Sequence, residues 1–580
     1  MKLIRFFAAL AGAIFLIGVQ ATDAAYNPGV SKTVDTVAQL QGIGAAAPFY
    51  PSVQVKGYNT ASGRGGGLFV WNATSTATAD SCNVIAATGV ATGRYFRAGA
   101  SPTIPLENCG AWGDAIVSRT GVANATTTFT DSGANCTAAA AAGLAHIVII
   151  PKPGNTNAQV NTTFTCNSAT SFNLAAGPSW SASNVTYAIG HDDGTAWTNA
   201  LTLANAALSG NITLQSSAYL MTSLSTGMGT LSAGLNGQSG GVSTIILGGV
   251  SGSSNGITIS YLGQANFSNV QIWCGDSGQD CGELINSVAV AKFSNFGFSY
   301  AARDCFVIDS GNGQGVENAS FDTFQFQNCG RHGWNVNLSG TGYFNISKMF
   351  NGNIRGISDR QANGTCWNGA ASGAKTLNLW IDTLECDAQY GAGGQSTYRP
   401  FSNAVYFTGA GWDINATNIT VESTGGSSVC TGRCEAIGTN YAGSTQIYLN
   451  ANQIFGGSNW ATDTYAPNFN ALGVLAINNG VTADLVSSIT GGGLIGTLTV
   501  SGDDGAGSST LEVYAVAGIG GTAQYSQIGS SAVVNSGVTF TVACAESGGI
   551  TKCTVHNGNG AAATFSYQFV GSLPLLINTQ

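Results

Sequence analysis

The sequence predicts an all-β chain whose middle is a parallel β-helix, and three observations carry that reading. Glycine makes up 81 of 580 residues, roughly twice the usual share, while only 8% of residues are charged and 44% are hydrophobic. Such a chain is too apolar to stay disordered, and its Gly, Ser, Thr and Asn content suits many short strands joined by tight turns. Similar segments also recur at about 25 to 35 residues, a period that marks solenoids. They are FSNVQIW at Phe267, FSNFGFS at Phe293, FDTFQFQ at Phe321, ISKMFNG at Ile346, IDTLECD at Ile381, ATNITVE at Ala416 and LNANQIF at Leu449. Within the unit, a small polar bend separates two stretches that alternate apolar and polar at period two, and nothing has helical spacing. Coils of this kind stack and bury a shared apolar column.

The elements follow in chain order. Residues 1–24 read as a secretory signal peptide. Lys2 and Arg5 precede an apolar run from Phe6 to Val19, and small residues follow, with cleavage fitting after Ala21 or Ala24. The run is short for a membrane span, and no later segment has an uncharged apolar run long enough for one. Residues 26–235 form a head and the lead-in to the helix. There CTAAAAAGLAH reads as a short helix, IVIIP reads as a buried strand, and HDDG at His191 to Gly194 reads as a turn. Residues 236–500 carry the repeat. Residues 501–580 alternate at period two between turns, in TLEVYAV, VTFTVACA, KCTVHN and TFSYQFV, and read as a small antiparallel sandwich that caps or oligomerises the solenoid.

Fourteen cysteines in an exported chain point to disulfides. Close pairs are Cys274 with Cys281, Cys430 with Cys434, and Cys544 with Cys553, the last as a bridged hairpin. Cys305 with Cys329 and Cys366 with Cys386 are further candidates. Paired Cys-x-x-Cys knuckles are absent and the four histidines are scattered, so zinc fits poorly. A net charge of −9 argues against nucleic acid, which needs basic patches.

The head carries a family likeness. GRGGGLFVWN, with Gly65 to Gly67 before Phe69 and Trp71, is followed by GRYFRA, NCGAWGD, the Ala-rich stretch and IVIIPKPG. This order resembles the start of the pectate-lyase-like, phage tailspike-like right-handed parallel β-helix family. Arg64 stands where that family often has Asp, and no Asp-rich stretch follows Asp114. The resemblance implies a right-handed helix, a homotrimer and a polysaccharide partner. Tailspikes normally lack a signal peptide, so its presence favours a secreted or surface relative, or a prophage-derived protein.

Chemistry is expected on an outward face. Side chains two apart on a strand share a face, which in DTLECDAQ puts Glu385 and Asp387 outward and Leu384 and Cys386 inward. Aligning the next coil places Glu422 beside Asp387. Two carboxylates about 6.5–9.5 Å apart suit inverting glycoside hydrolysis, and two strand residues span ~6.6 Å. Trp380, Tyr390 and Trp412 are nearby in sequence for stacking on sugar rings. A rival lyase scheme uses NCGRHGWN: His332 or Arg355 as base, with Arg331 holding a uronate carboxylate and Asp322 close by. The hydrolase needs no cofactor. In the lyase scheme Asp387 and Glu422 instead bind calcium. Hydrolysis or elimination of an extracellular polysaccharide is the leading function. The alternative is a non-catalytic adhesin, with dispersed acids and flat Asn/Thr ladders.

Overall fold

The computed structural model describes residues 31–572 apart from 134–135, 152–157, 208–209, 223–226, 229–231, 239–240, 249–255, 276–279, 312, 357–363, 373–374, 388–402, 409–412, 423–445, 451–452, 456–468, 488–493, 520–521, 535–536 and 548–549. The expected leader and the Cys430/Cys434 pair lie outside the described residues. Among the described residues no helix is long and apolar enough to cross a membrane.

The chain begins with a five-stranded sheet in the order Lys32–Val34, Ser52–Val55, Gly67–Asn72, Arg94–Arg97, Val84–Ile85. The glycine cluster sits where this sheet meets the lead-in to the helix. Gly65 has φ +75°, and a Cβ there would lie 2.0 Å from the Glu107 carbonyl oxygen. Arg97 donates to the carbonyls of Gly65 and Gly66, at 3.0 and 2.6 Å. Backbone contact this close leaves no room for a side chain.

The strand after the glycines belongs to the head sheet, not to the first coil. The open end of the β-helix is covered instead by the helix Gly194–Ala206, whose Ala196, Trp197, Ala200, Leu201 and Ala204 pack on Ile104, Leu106 and Ile212. An exposed row of unpaired strand ends and apolar rings needs such a cover. HDDG is therefore the lead into a helix rather than a free turn.

An antiparallel closed barrel spanning Ile116 to Gly190 interrupts the head. It includes the expected Ala-rich helix, Cys136–Ala141, and the apolar strand His146–Ile150. Its core stacks Phe129, Phe164, Phe172 and Tyr187 edge to face. Disulfides Cys136–Cys166 in the barrel and Cys82–Cys109 between head and lead-in join the expected Cys274–Cys281, Cys305–Cys329, Cys366–Cys386 and Cys544–Cys553.

A parallel ladder joins Thr103–Pro105 to Asn211–Thr213 and continues coil by coil to Phe455, and antiparallel pairing takes over from Phe469. Parallel pairing is thus present before 236, and antiparallel pairing before 501. One column of the ladder reads Phe267, Phe293, Phe321, Met349, Ile381, Ala416, Leu449. These are the first residues of the repeat units, with one correction: Met349 holds the place assigned to Ile346. Met349 is 1% exposed and Ile346 is 55% exposed, so burial selects the register. Phe267 and Phe293 stack with centroids 4.8 Å apart. Five successive coils then turn at a left-handed residue, Asn269, Asn295, Thr323, Asn351 or Thr383, with φ between 49° and 56°. Asparagine tolerates that conformation better than other side chains, which explains its recurrence at the bend.

The C-terminal part is two facing antiparallel sheets. A five-stranded sheet and a three-stranded sheet share a core that includes Leu498, Val500, Phe565, Phe569 and Val555. The hairpin Phe540–Ser547 with Ile550–Asn557 pairs Cys544 opposite Cys553.

Candidate functional site

Beyond the left-handed bend, the parallel register stacks two positions of successive coils into columns. The first reads Gln271, Gly297, Gln325, Asn353, Glu385, Thr420, Gln453. The second reads Trp273, Ser299, Gln327, Arg355, Asp387, Glu422, Phe455. Leu384 and Cys386 flank Glu385 and are 2% and 0% exposed, so the period-two pattern turns Glu385 outward. Glu385 is tied to the preceding coil. The Arg355 guanidinium stands 3.5 Å from one carboxylate oxygen, and the Asn353 amide donates to the other. The backbone ladder sets Asp387 between Arg355 and Glu422.

One end of this face is walled by the barrel. Trp273 and Tyr300 pack with Val148, Ile150 and Ala188 of the barrel and with Leu220 and Ile246. Thr186 of the barrel is 3.4 Å from the Tyr300 hydroxyl, and the Arg119 guanidinium lies 5.7 Å from the Trp273 ring. Between the wall and Glu385 lies a groove of about 300 Å³ lined by Gln271, Asn295, Gly297, Gln325, Asn351 and Asn353 among others. Sequence reasoning passed over it, although the signal was present: Q, G, Q, N and E occupy the same place in successive repeat units.

The other expected site residues are placed elsewhere. Trp380 is 47% exposed, but it pairs with Lys348 and Asn415 ahead of the bend at Thr383, whereas Glu385 follows that bend. Trp380 and Glu385 share the strand Lys375–Asp387, with the left-handed turn at Thr383 between them. Tyr390 and Trp412 lie outside the described residues.

His332 is 7% exposed, and its Nδ1 accepts the backbone N–H of Thr365 at 3.0 Å. Burial holds its imidazole down at about 4, with Asp304 opposing that shift and Arg331 and Arg303 adding to it. Arg331 is a two-pronged partner of buried Asp304, with its Nε at 2.9 Å from Oδ1 and its Nη2 at 2.5 Å from Oδ2. Asp304 also accepts from the His332 backbone and the Asn335 amide. Arg303 clamps Asp280 in the coil before. This ladder closes a corner of the coil. Asp322 sits at another corner, held to Asn351, and Arg355 faces the acids. The expected grouping of Asp322, Arg331, His332 and Arg355 is not assembled: Arg331 is held by Asp304, His332 by Thr365, Asp322 by Asn351 and Arg355 by Glu385.

A second polar cluster joins the barrel's two ends to the helix. His191 Nδ1 meets Asp114 at 2.7 Å, and Trp112 stacks on the imidazole at 3.8 Å. Asp193 is fully buried and accepts the backbone N–H groups of Trp112 and Gly113. Burial pushes its carboxyl up to about 7.

A family model for the phage tail protein small four-stranded beta-sheet domain matches residues 33–99, the span of the head sheet. No curated protein sequence matches the chain. Solved structures similar to it include the tailspike protein gp49 of Acinetobacter baumannii bacteriophage Fri1, a capsular polysaccharide depolymerase. It is 13% identical, with 94% of this chain and 99% of that one covered and a TM-score of 0.37. The Acinetobacter phage vB_ApiP_P1 tailspike protein is 12% identical over 94% of this chain and 99% of that one, with a TM-score of 0.33. Pantoea stewartii WceF, a glycan biofilm modifying enzyme with a tailspike-like parallel β-helix, is 12% identical over 93% of this chain and 70% of that one, with a TM-score of 0.38. The stacked parallel coils and the match over the head sheet agree with the tailspike-type β-helix expected from the head motifs.

Proposed function

We propose that this chain cleaves an extracellular polysaccharide by glycoside hydrolysis on the outer face that carries Glu385. The observation that carries the reading is the Glu385 carboxylate, turned outward beside a groove and held by Arg355 and Asn353. A fixed carboxylate at an open surface can orient a water, and its strand neighbour two residues on lies ~6.6 Å away, within the range for inverting chemistry. Glu385 is assigned the base. Asp387 or Glu422 is assigned the acid, since two carboxylates one ladder step apart cannot both ionise easily, and the one that keeps its proton can donate it to the leaving oxygen. The scheme uses no cofactor.

Elimination fits less well. His332 is buried and engaged with Thr365, and Arg355 is engaged with Glu385. Secretion through the 1–24 leader and assembly as a homotrimer remain part of the proposal.

A binding-only adhesin is the second reading, and one observation favours it: the bend column of Asn269, Asn295, Thr323, Asn351 and Thr383 is a polar ladder along the helix. The test incubates the mature protein with a panel of bacterial and plant polysaccharides and follows reducing ends together with ultraviolet absorbance. Reducing ends without new absorbance, lost about 10²–10⁴-fold in Glu385→Gln, support hydrolysis. New absorbance at a double bond overturns it in favour of elimination, and binding without any product favours the adhesin.

A further inference from the structure

The groove between the barrel wall and Glu385 has its own chemistry. Its lining contains amides, a hydroxyl, the Gly297 notch and the apolar rim of Val242, 40% exposed, and no ionisable side chain. It runs from the coil of Gln271 to that of Asn353. Three ladder steps of ~4.8 Å make that about 14 Å.

Gly297 keeps the notch open. A Cβ there would stand 2.5 Å from the Gln325 carbonyl oxygen and 3.4 Å from the Gln271 side chain. The amides at the far end are already committed to carboxylates on one side. Asn351 donates to Asp322 at 2.9 Å, and Asn353 donates to Glu385. The Asn353 Oδ1 is buried beneath the groove and has no donor among the described residues.

We propose that this groove is a subsite for an uncharged stretch of the glycan, whose hydroxyl or acetamido groups are read by Gln271 and Gln325. The inference rests on the reading of this face as a polysaccharide site and adds the class of sugar it takes. Amides both donate and accept, so they match the mixed donors and acceptors of neutral sugar rings. A uronate or sulfate would need a guanidinium or ammonium partner. The groove offers none, and Asp322, bonded to Asn351 at its end, adds a negative charge.

The experiment measures binding of cellotetraose, laminaritetraose, isomaltotetraose, chitotetraose and tetragalacturonate to the full mature chain by titration calorimetry at fixed ionic strength. At least one neutral tetrasaccharide should bind tenfold or more tighter than tetragalacturonate. Gln325→Ala should weaken it at least fivefold. Gln325→Lys, an exposed position that the fold does not depend on, should shift preference toward tetragalacturonate. Tetragalacturonate binding as well as the best neutral ligand, neutral binding indifferent to both variants, or no neutral binding at all would overturn the proposal. Reducing ends measured on the same panel keep the two readings apart. Cleavage without a neutral preference sinks the subsite alone, and neutral binding without cleavage sinks the hydrolase alone.

Discussion

Replacing His332 with asparagine should remove part of the protein's acid sensitivity while leaving polysaccharide cleavage intact. The imidazole is 7% exposed and accepts a backbone N–H at Nδ1, so a second proton has no place there. Its folded value near 4 compares with about 6.5 in an unfolded chain. The folded state therefore binds fewer protons, and stability falls as pH drops below 6.5 and on through 4. The difference is worth about 2 kcal/mol at pH 5 and about 3 kcal/mol at pH 4.

The shorter amide of His332→Asn keeps an acceptor where Nδ1 now sits and cannot titrate. The lost ring volume costs the same at every pH. Urea unfolding of wild type and His332→Asn at pH 7 and pH 5 supplies the comparison. The variant is needed because Asp193, raised to about 7, acts in the opposite sense, stabilising below that pH and losing the contribution as pH rises through it. The gap between the two proteins should close by about 2 kcal/mol on acidification to pH 5. An unchanged gap would refute the burial argument. A folded variant that no longer cleaves would return His332 to the chemistry.

Three other outcomes follow from the packing. Phe293→Ala removes a ring stacked between Phe267 and Phe321 and should cost about 3–5 kcal/mol in urea unfolding. Thr383→Asn places a residue suited to φ +54° at a bend now held by a β-branched side chain, and should raise the unfolding free energy by about 1 kcal/mol. Replacing Cys136 and Cys166 by serine opens a 30-residue loop and should lower stability by about 3–4 kcal/mol on the chain-entropy scale, read as earlier proteolysis within 116–190.

Parity along a strand was legible in the sequence. Leu384 and Cys386 are apolar and Glu385 is not, and a two-residue period leaves one arrangement that buries the first pair. The same logic failed at ISKMFNG, where Ile346 and Met349 are both apolar and three apart, so either fits the pattern. Only packing against Phe321 and Ile381 selects Met349. Trp380 and Glu385 are five residues apart on one strand, but the left-handed turn at Thr383 lies between them. NCGRHGWN reads as a basic motif, and its partner Asp304 lies a full coil earlier.

The sequence by itself determined the repeat, the strand–bend–strand unit, the antiparallel C-terminal part, four of the disulfides between near cysteines and the outward side of Glu385. Each depends on local periodicity or short separation, which a linear chain displays directly. Tertiary structure alone decided that residues 116–190 close into a barrel, that Gly194–Ala206 covers the open end, that His332 and Arg331 belong to a buried corner, and that amides from successive coils line one groove beside Glu385. Those outcomes depend on which coils stack and in what register. That choice is made by burial summed over many distant residues, and no short stretch of sequence contains it.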